Sequence, residues 1–278
     1  MADKRSFSMR SSLVWLAAGL IGLAVFLRCY DKVFPVAAVD LRLSQAVVLE
    51  KAEAFLREQG VSSDGYDRAS MLGSDDQAVI YLQKKVGIAR SNELIKDGFP
   101  LWFWRIRWFK ELDKEELRLG VDPADGRIIF YTHAVLEDAP GAHLVQEEAR
   151  RIAERFLTGQ NIDLDMYRIK ESESRERRHR TDHYFVWEHN EVRVGDAFLR
   201  VQVGVQGEHI GSYSRYLKIP ETFGRELARE VSLGTVLGRT SHMLMFILLI
   251  AAVFYLIFRV GQSRVQWQQG FLFMIVTA

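Results

Sequence analysis

The chain has 278 residues, with 37 Lys and Arg against 36 Asp and Glu and a formal net charge of +1. That balance gives no footing for nucleic-acid binding, which shows as a strongly basic domain or stripe, and the single cysteine, Cys29, excludes an intramolecular disulfide, so an exported domain must be held by its core alone. The mean hydropathy is near zero only because apolar ends average with a charged middle.

In chain order, residues 1–10 carry Lys4, Arg5 and Arg10 and read as a cytoplasmic tail. Leu13 to Leu27 is uncharged and flanked by Arg10 and Arg28, which predicts a transmembrane helix or signal anchor over 11–28. Val36-Ala37-Ala38 would suit a cleavage site, making a removed signal peptide the alternative; its distance from Leu27 favours the uncleaved anchor. Met243 to Phe258 predicts a second transmembrane helix over 241–259. Lys4, Arg5, Arg10, Arg259 and Arg264 place both short flanks inside, so residues 28–242 are expected to face the extracytoplasmic side of a multi-pass membrane protein. Beyond a cytoplasmic loop at 260–269, the run GFLFMIVTA at 270–278 is about half the length of a membrane helix. It reads as the start of a truncated third span, and the chain as the front of a longer protein whose partners include the lipid bilayer.

The middle of the chain repeats itself. KAEAFLREQGVSSDGY from Lys51 and IAERFLTGQNIDLDMY from Ile152 match in step at a constant offset of 101, Ala52 with Ala153, Phe55 with Phe156, Leu56 with Leu157 and Tyr66 with Tyr167. Val48, Ala52, Phe55 and Leu56, and likewise Ala149, Ala153, Phe156 and Leu157, have helical spacing, so each copy opens with an amphipathic helix. Ser44 suits the first N-cap and Gly60 its stop.

Strand patterns follow each helix: Leu101 to Phe109, Leu117 to Val121 and Ile128 to Tyr131 in the first copy, and Tyr184 to His189, Phe198 to Val205 and His209 to Leu217 in the second. The first copy also holds an insertion from Asp76 to Gly98 with helical spacing before Gly87 and a short helix at Ser91 to Lys96; the second has a charged stretch from Glu171 to Arg180 instead. The fold class is therefore α+β: two tandem helix-on-antiparallel-sheet units, 40–138 and 143–220, followed by a helical connector over 221–240.

Chemistry is sparse. Period-two alternation puts Trp102, Trp104, Ile106 and Trp108 on one strand face, either core or a surface for a peptide or lipid. His179, Asp182, His183, Glu188 and His189 resemble a ligand cluster, but on an extended chain an HxxxH pair lies about 13 Å apart and cannot share one ion. His133 and His143 lie around a Pro-Gly turn without partner spacing, and RERRHR at Arg175 to Arg180 reads as a solvated loop. Glu147-Glu148 suits the first turn of a helix, where acids complement the dipole. No phosphate loop, GxSxG elbow or HExxH helix is present, so no catalytic residue, metal ligand or cofactor is assigned.

LRLGVDPADGRIIFY at Leu117 to Tyr131, following an amphipathic helix, resembles the strand-turn-strand signature of PepSY-type domains. Together with YLQKKVGIARSNELI, WFWRIRWF, EEARRIAERFL, RTDHYFVWE and LKIPE, then a span followed by SRVQWQQG, the arrangement resembles the N-terminal region of bacterial CPBP-family intramembrane endopeptidases, the type II CAAX protease family. The resemblance implies a metal-dependent peptidase core in later membrane helices, carrying EExxxR and histidine motifs and acting on a peptide or protein substrate. None of those motifs maps onto this chain: Glu147-Glu148 starts an EExxxR, but Ile152 stands where the arginine belongs. The expectation is an inner-membrane accessory or regulatory region, with a PepSY-like sensor or peptide-binding protein as the alternative.

Overall fold

The computed structural model describes residues 9–33, 39–96 and 98–261. Residues 262–278, including the third apolar run, and residues 1–8 of the tail lie outside the described residues. The chain divides at Pro220 into two compact units.

The first unit holds α1 (Met9–Val33), α2 (Gln45–Glu58), β1 (Asp67–Ser74), α3 (Asp76–Lys96), β2 (Trp102–Phe109), β3 (Glu116–Val121), β4 (Ile128–Ala134), α4 (Gln146–Gly159), β5 (Tyr167–Glu176), β6 (Thr181–Val194), β7 (Ala197–Gln206) and β8 (His209–Lys218). Local chemistry sets the helix ends. Ser44 caps α2 by accepting the Val47 N–H, and the chain leaves that helix through Gly60 at φ +72°, a conformation glycine adopts without steric cost. At α4 Val145 offers no side-chain cap, and Glu147 and Glu148 in the first turn favour the helix electrostatically instead.

All eight strands join one antiparallel sheet in the order β1-β2-β3-β4-β8-β7-β6-β5. Each half of the sheet is a run of four hairpin-ordered strands, and the halves meet where β4 pairs β8 through Phe130 with Ser214, Tyr131 with Tyr213, and Thr132 with Ser212. α2 lies against β2 and β3, and α4 against β6, β7 and β8. Both helices feed a single core containing Val48, Ala52, Phe55 and Leu56 from α2, Ala149, Ala153 and Leu157 from α4, and the inward residues of six strands. The seam is aromatic: Phe55 meets Tyr131 at 5.2 Å, Phe156 meets Tyr213 at 5.3 Å, and Phe55 and Phe156, aligned in the repeat, approach edge-on at 6.3 Å. Such pairs add about 0.5–1.5 kcal/mol each beyond the area they bury.

Two strands were not expected from the sequence. β1 and β5 are the sheet's outer strands, polar and largely exposed, and neither carries the apolar alternation that marks a half-buried strand. β6 also runs well beyond Tyr184 to His189 at both ends. The insertion is α3, kinked at Gly87 (φ +79°), with Ala78, Val79, Tyr81 and Leu82 buried. Tyr81 ties α3 to the β6–β7 turn: its hydroxyl donates to the Val194 carbonyl at 3.1 Å and accepts the Asp196 N–H at 3.0 Å.

The second unit's described part is α5 (Glu221–Gly261). The expected connector and second span form this one 41-residue helix, about 60 Å long; Gly224 and Gly238 do not interrupt it. Its 221–258 stretch is long and apolar enough to cross a membrane, with Met243 to Phe258 apolar on every side. The described apolar stretch of α1, Leu16–Tyr30, is shorter.

Candidate functional site

The tryptophan strand is divided by burial. Trp108 is 2% exposed and belongs to the core with Ile106, so it presents no surface to a partner. Trp104 is half-buried and packs against the same core. Trp102, also half-buried, lines a hollow of about 130 Å³ with Arg42, Lys96, Phe99, Asp122 and Arg127. The indole N–H groups of Trp102 and Trp104 are buried without a hydrogen-bond partner. Burial raises the Asp122 carboxyl, and that carboxylate accepts the Ala124 N–H at 2.8 Å, closing the β3–β4 turn. The hollow has room for a few waters, well below the roughly 300–1,000 Å³ of small-molecule pockets.

The residues around β6 are brought together, but in structural roles. His183 is 2% exposed, with Nδ1 at 2.8 Å from the Ser174 hydroxyl and Nε2 at 3.0 Å from the Leu144 carbonyl, so both ring nitrogens are engaged. A ligand imidazole needs one nitrogen free. Glu188, 2% exposed, accepts from Arg168 at 2.8 Å and from Arg200 at 2.9 and 3.0 Å; these partners hold its carboxyl below the usual range against the opposing effect of burial. His189 accepts the Val192 N–H through Nδ1 at 3.0 Å, and burial lowers its pKa. His133 reaches Glu115 at 2.8 Å, and His143 lies 3.1 Å from the Thr181 hydroxyl. Among the described residues no group of three His, Cys, Asp or Glu side chains could hold a metal ion.

The basic cluster departs from its reading as a solvated loop. Arg180 is 3% exposed: its Nε donates to Asp182 at 2.7 Å, and its Nη1 donates to the carbonyls of Leu136 at 3.0 Å and Ala139 at 2.7 Å. Arg177 donates to the other Asp182 oxygen at 3.0 Å and to Glu137 at 2.8 Å. This network fastens the connection between β4 and α4 to the start of β6. The one sequence signal for it was Asp182, two residues after Arg180; the carbonyl acceptors lie more than 40 positions earlier.

The outer sheet face carries a second ionic group. Arg107 and Arg118 both donate to Glu116, which brings that carboxyl down to about 2. Arg105 on the same face is exposed and stacks 5.5 Å over the Phe103 ring, with no ion pair among the described residues. At the rim of the sheet, β1 pairs on one side only among the described residues. Chemically, the described residues offer positive charge beside an edge strand and, among them, no converging acid, base and nucleophile.

No family model matches the chain, and no curated protein matches it. Among solved structures, the Bacillus megaterium YpeB C-terminal domain is similar over 62% of this chain at 11% identity and a TM-score of 0.39. The match spans 62% of that domain's own length. At this TM-score the likeness carries no conclusion about function.

Proposed function

We propose that residues 39–220 are a non-catalytic binding domain, two PepSY-like units fused through one sheet and tethered to a bacterial cell membrane by α5. On this reading it is the extracytoplasmic accessory region of a larger membrane protein, engaging a peptide or protein substrate or restraining membrane helices of the same polypeptide. The observation that carries binding over catalysis is the state of the interior ionisable groups: Asp182, His183 and Glu188 are each committed to fixed structural partners. A general base or nucleophile needs a free valence aimed at a substrate. Tethering is supported by α5, whose apolar half is unburied by protein.

The motif resemblance to CPBP-family intramembrane endopeptidases supplies a specific context, in which peptide hydrolysis belongs to helices after Ala278. Sequencing the gene past the Ala278 codon tests it. Further membrane helices with EExxxR and histidine motifs support the protease context; a stop codon or a cytoplasmic signalling domain favours the sensor reading, for which the two-residue link from β8 to α5 provides a short route. Peptidase and esterase assays with zinc analysis on the detergent-solubilised chain test the non-catalytic part: turnover abolished by Glu188→Gln or His183→Ala in a folded variant refutes it.

A further inference from the structure

The two edges of the sheet are built differently. β5 carries Arg168, Lys170, Glu171, Glu173, Arg175 and Glu176, and its pairing with β6 shifts register between Ile169 and Glu171. Charges and bulges are the devices that keep an edge strand from pairing with another chain. β1 has neither over its main length. It pairs with β2 through eight consecutive residues without a shift, and from Ala69 to Ser74 it holds no charge. Met71 at its centre is 60% exposed. One edge is blocked, and the other is regular in register and, among the described residues, unpaired on its outer side.

The side chains around β1 define what fits. On the outer face Ala69, Met71 and Gly73 stand opposite Arg107, Arg105 and Phe103. Ala69 and Gly73 are too small to screen β2 from a strand laid against β1, which would lie about 10 Å from β2, two inter-strand spacings away. The Arg105 guanidinium crosses from β2 to lie over Gly73, where a Cβ would meet it at 3.9 Å, and it has no carboxylate partner among the described residues, whereas Arg107 already shares Glu116. On the helix face Leu72 stands opposite Trp104, and the polar neighbours are occupied: Gln45 donates to Ser70 at 2.5 Å and Arg68 to Glu53 at 2.7 Å.

We propose that β1 is a strand-accepting edge for an extended polypeptide segment with acidic and apolar side chains on its outer face and small polar ones on the other. Main-chain hydrogen bonds to β1 supply the affinity, and Arg105 with Met71 supplies the preference. This deepens the binding reading above and rests on it.

The test uses the full chain in detergent and fluorescein-labelled eight-residue peptides that alternate threonine with valine and glutamate, read by anisotropy. A matched peptide has lysine in place of glutamate. Two further probes carry backbone N-methyl groups on alternate residues, one series on each edge. The expected result is binding of the glutamate peptide, at least tenfold loss with one N-methyl series and little change with the other, at least tenfold loss in Met71→Lys, and a reversed preference for lysine in Arg105→Glu. Circular dichroism confirms that each variant is folded, and the N-methyl comparison needs no variant at all. Binding that is indifferent to both N-methyl series and to Met71→Lys overturns the edge assignment while leaving a binding domain in place. Failure of every peptide overturns the edge proposal alone, since the binding reading is tested separately by the downstream gene sequence and the hydrolase assays. Self-association of the chain that Met71→Lys abolishes, without peptide binding, assigns the edge to a second copy and refutes the peptide proposal.

Discussion

Replacing Asp182 is the sharpest probe of how the connection between β4 and α4 is held. The Asp182 side chain is 1% exposed and that of Arg180 4%, at 2.7 Å, so Asp182→Ala leaves a guanidinium in the interior with two carbonyl contacts and no counter-charge. Breaking one side of such a buried pair costs about 3–5 kcal/mol, mainly because the remaining charge stays desolvated. Arg177 also donates to Asp182, but its second partner, Glu137, is 80% exposed and Arg177→Ala leaves Asp182 paired with Arg180, so that substitution should cost less. Replacing Arg180 and Asp182 together with Met and Leu should recover much of the loss, since no orphaned charge remains. Urea unfolding of the detergent-solubilised chain, followed by tryptophan fluorescence, measures all three; Trp108 and Trp187 lie in the core and report its opening. An Asp182→Ala loss under about 1 kcal/mol, or one equal to that of Arg177→Ala, would refute the argument that Asp182 compensates a buried charge.

Three further outcomes follow from the sheet. Arg118 and Arg107 depress the Glu116 carboxyl to about 2, so its contribution is complete above the unfolded value and is lost as pH falls through about 4 to 2. Because both arginines are about half exposed, that contribution is limited to about 1 kcal/mol, and Glu116→Gln should flatten the acid limb of the stability profile by this amount. A Cβ on Gly120 would sit 2.2 and 2.3 Å from Phe130 ring atoms; Gly120→Ala should therefore expel that ring from its 5.2 Å contact with Phe103, at about 1–3 kcal/mol, and the loss should shrink in a Phe130→Ala background. Tyr81→Phe removes the hydroxyl that bridges Val194 and Asp196, costing about 1–2 kcal/mol, and hydrogen exchange at the β6–β7 turn should speed up without a matching change at the β4–β8 seam.

The sequence made one part of this molecule legible and hid another, for a common reason. α2 and α4 announce themselves because four apolar residues at helical spacing must all be covered, and β2, β3, β4, β7 and β8 do so through inward-facing residues at period two. Those patterns record that a face is buried without recording what buries it. The two copies expected from the sequence could therefore be read as two separate sheets, whereas β4 and β8 pair, through only three residues, within one sheet. Trp102, Trp104 and Trp108 share a strand face by period two, but their exposure differs because Trp108 enters the core shared with α2 and Trp102 sits at the strand's end beside a small hollow.

Where the apolar period is absent, local pattern loses its purchase. The arginines of RERRHR look alike in the chain; Arg180 is buried because Asp182 and two carbonyls from the preceding connection meet it. β1 and β5 are both polar, and nothing in either pattern names them as opposite rims of one sheet. Once that placement is known, their charges acquire opposite meanings: six ionisable residues block one rim, and the uncharged run from Ala69 to Ser74 leaves the other open. The functional signal in β1 is thus a missing defence, visible only by comparison with the edge that has one.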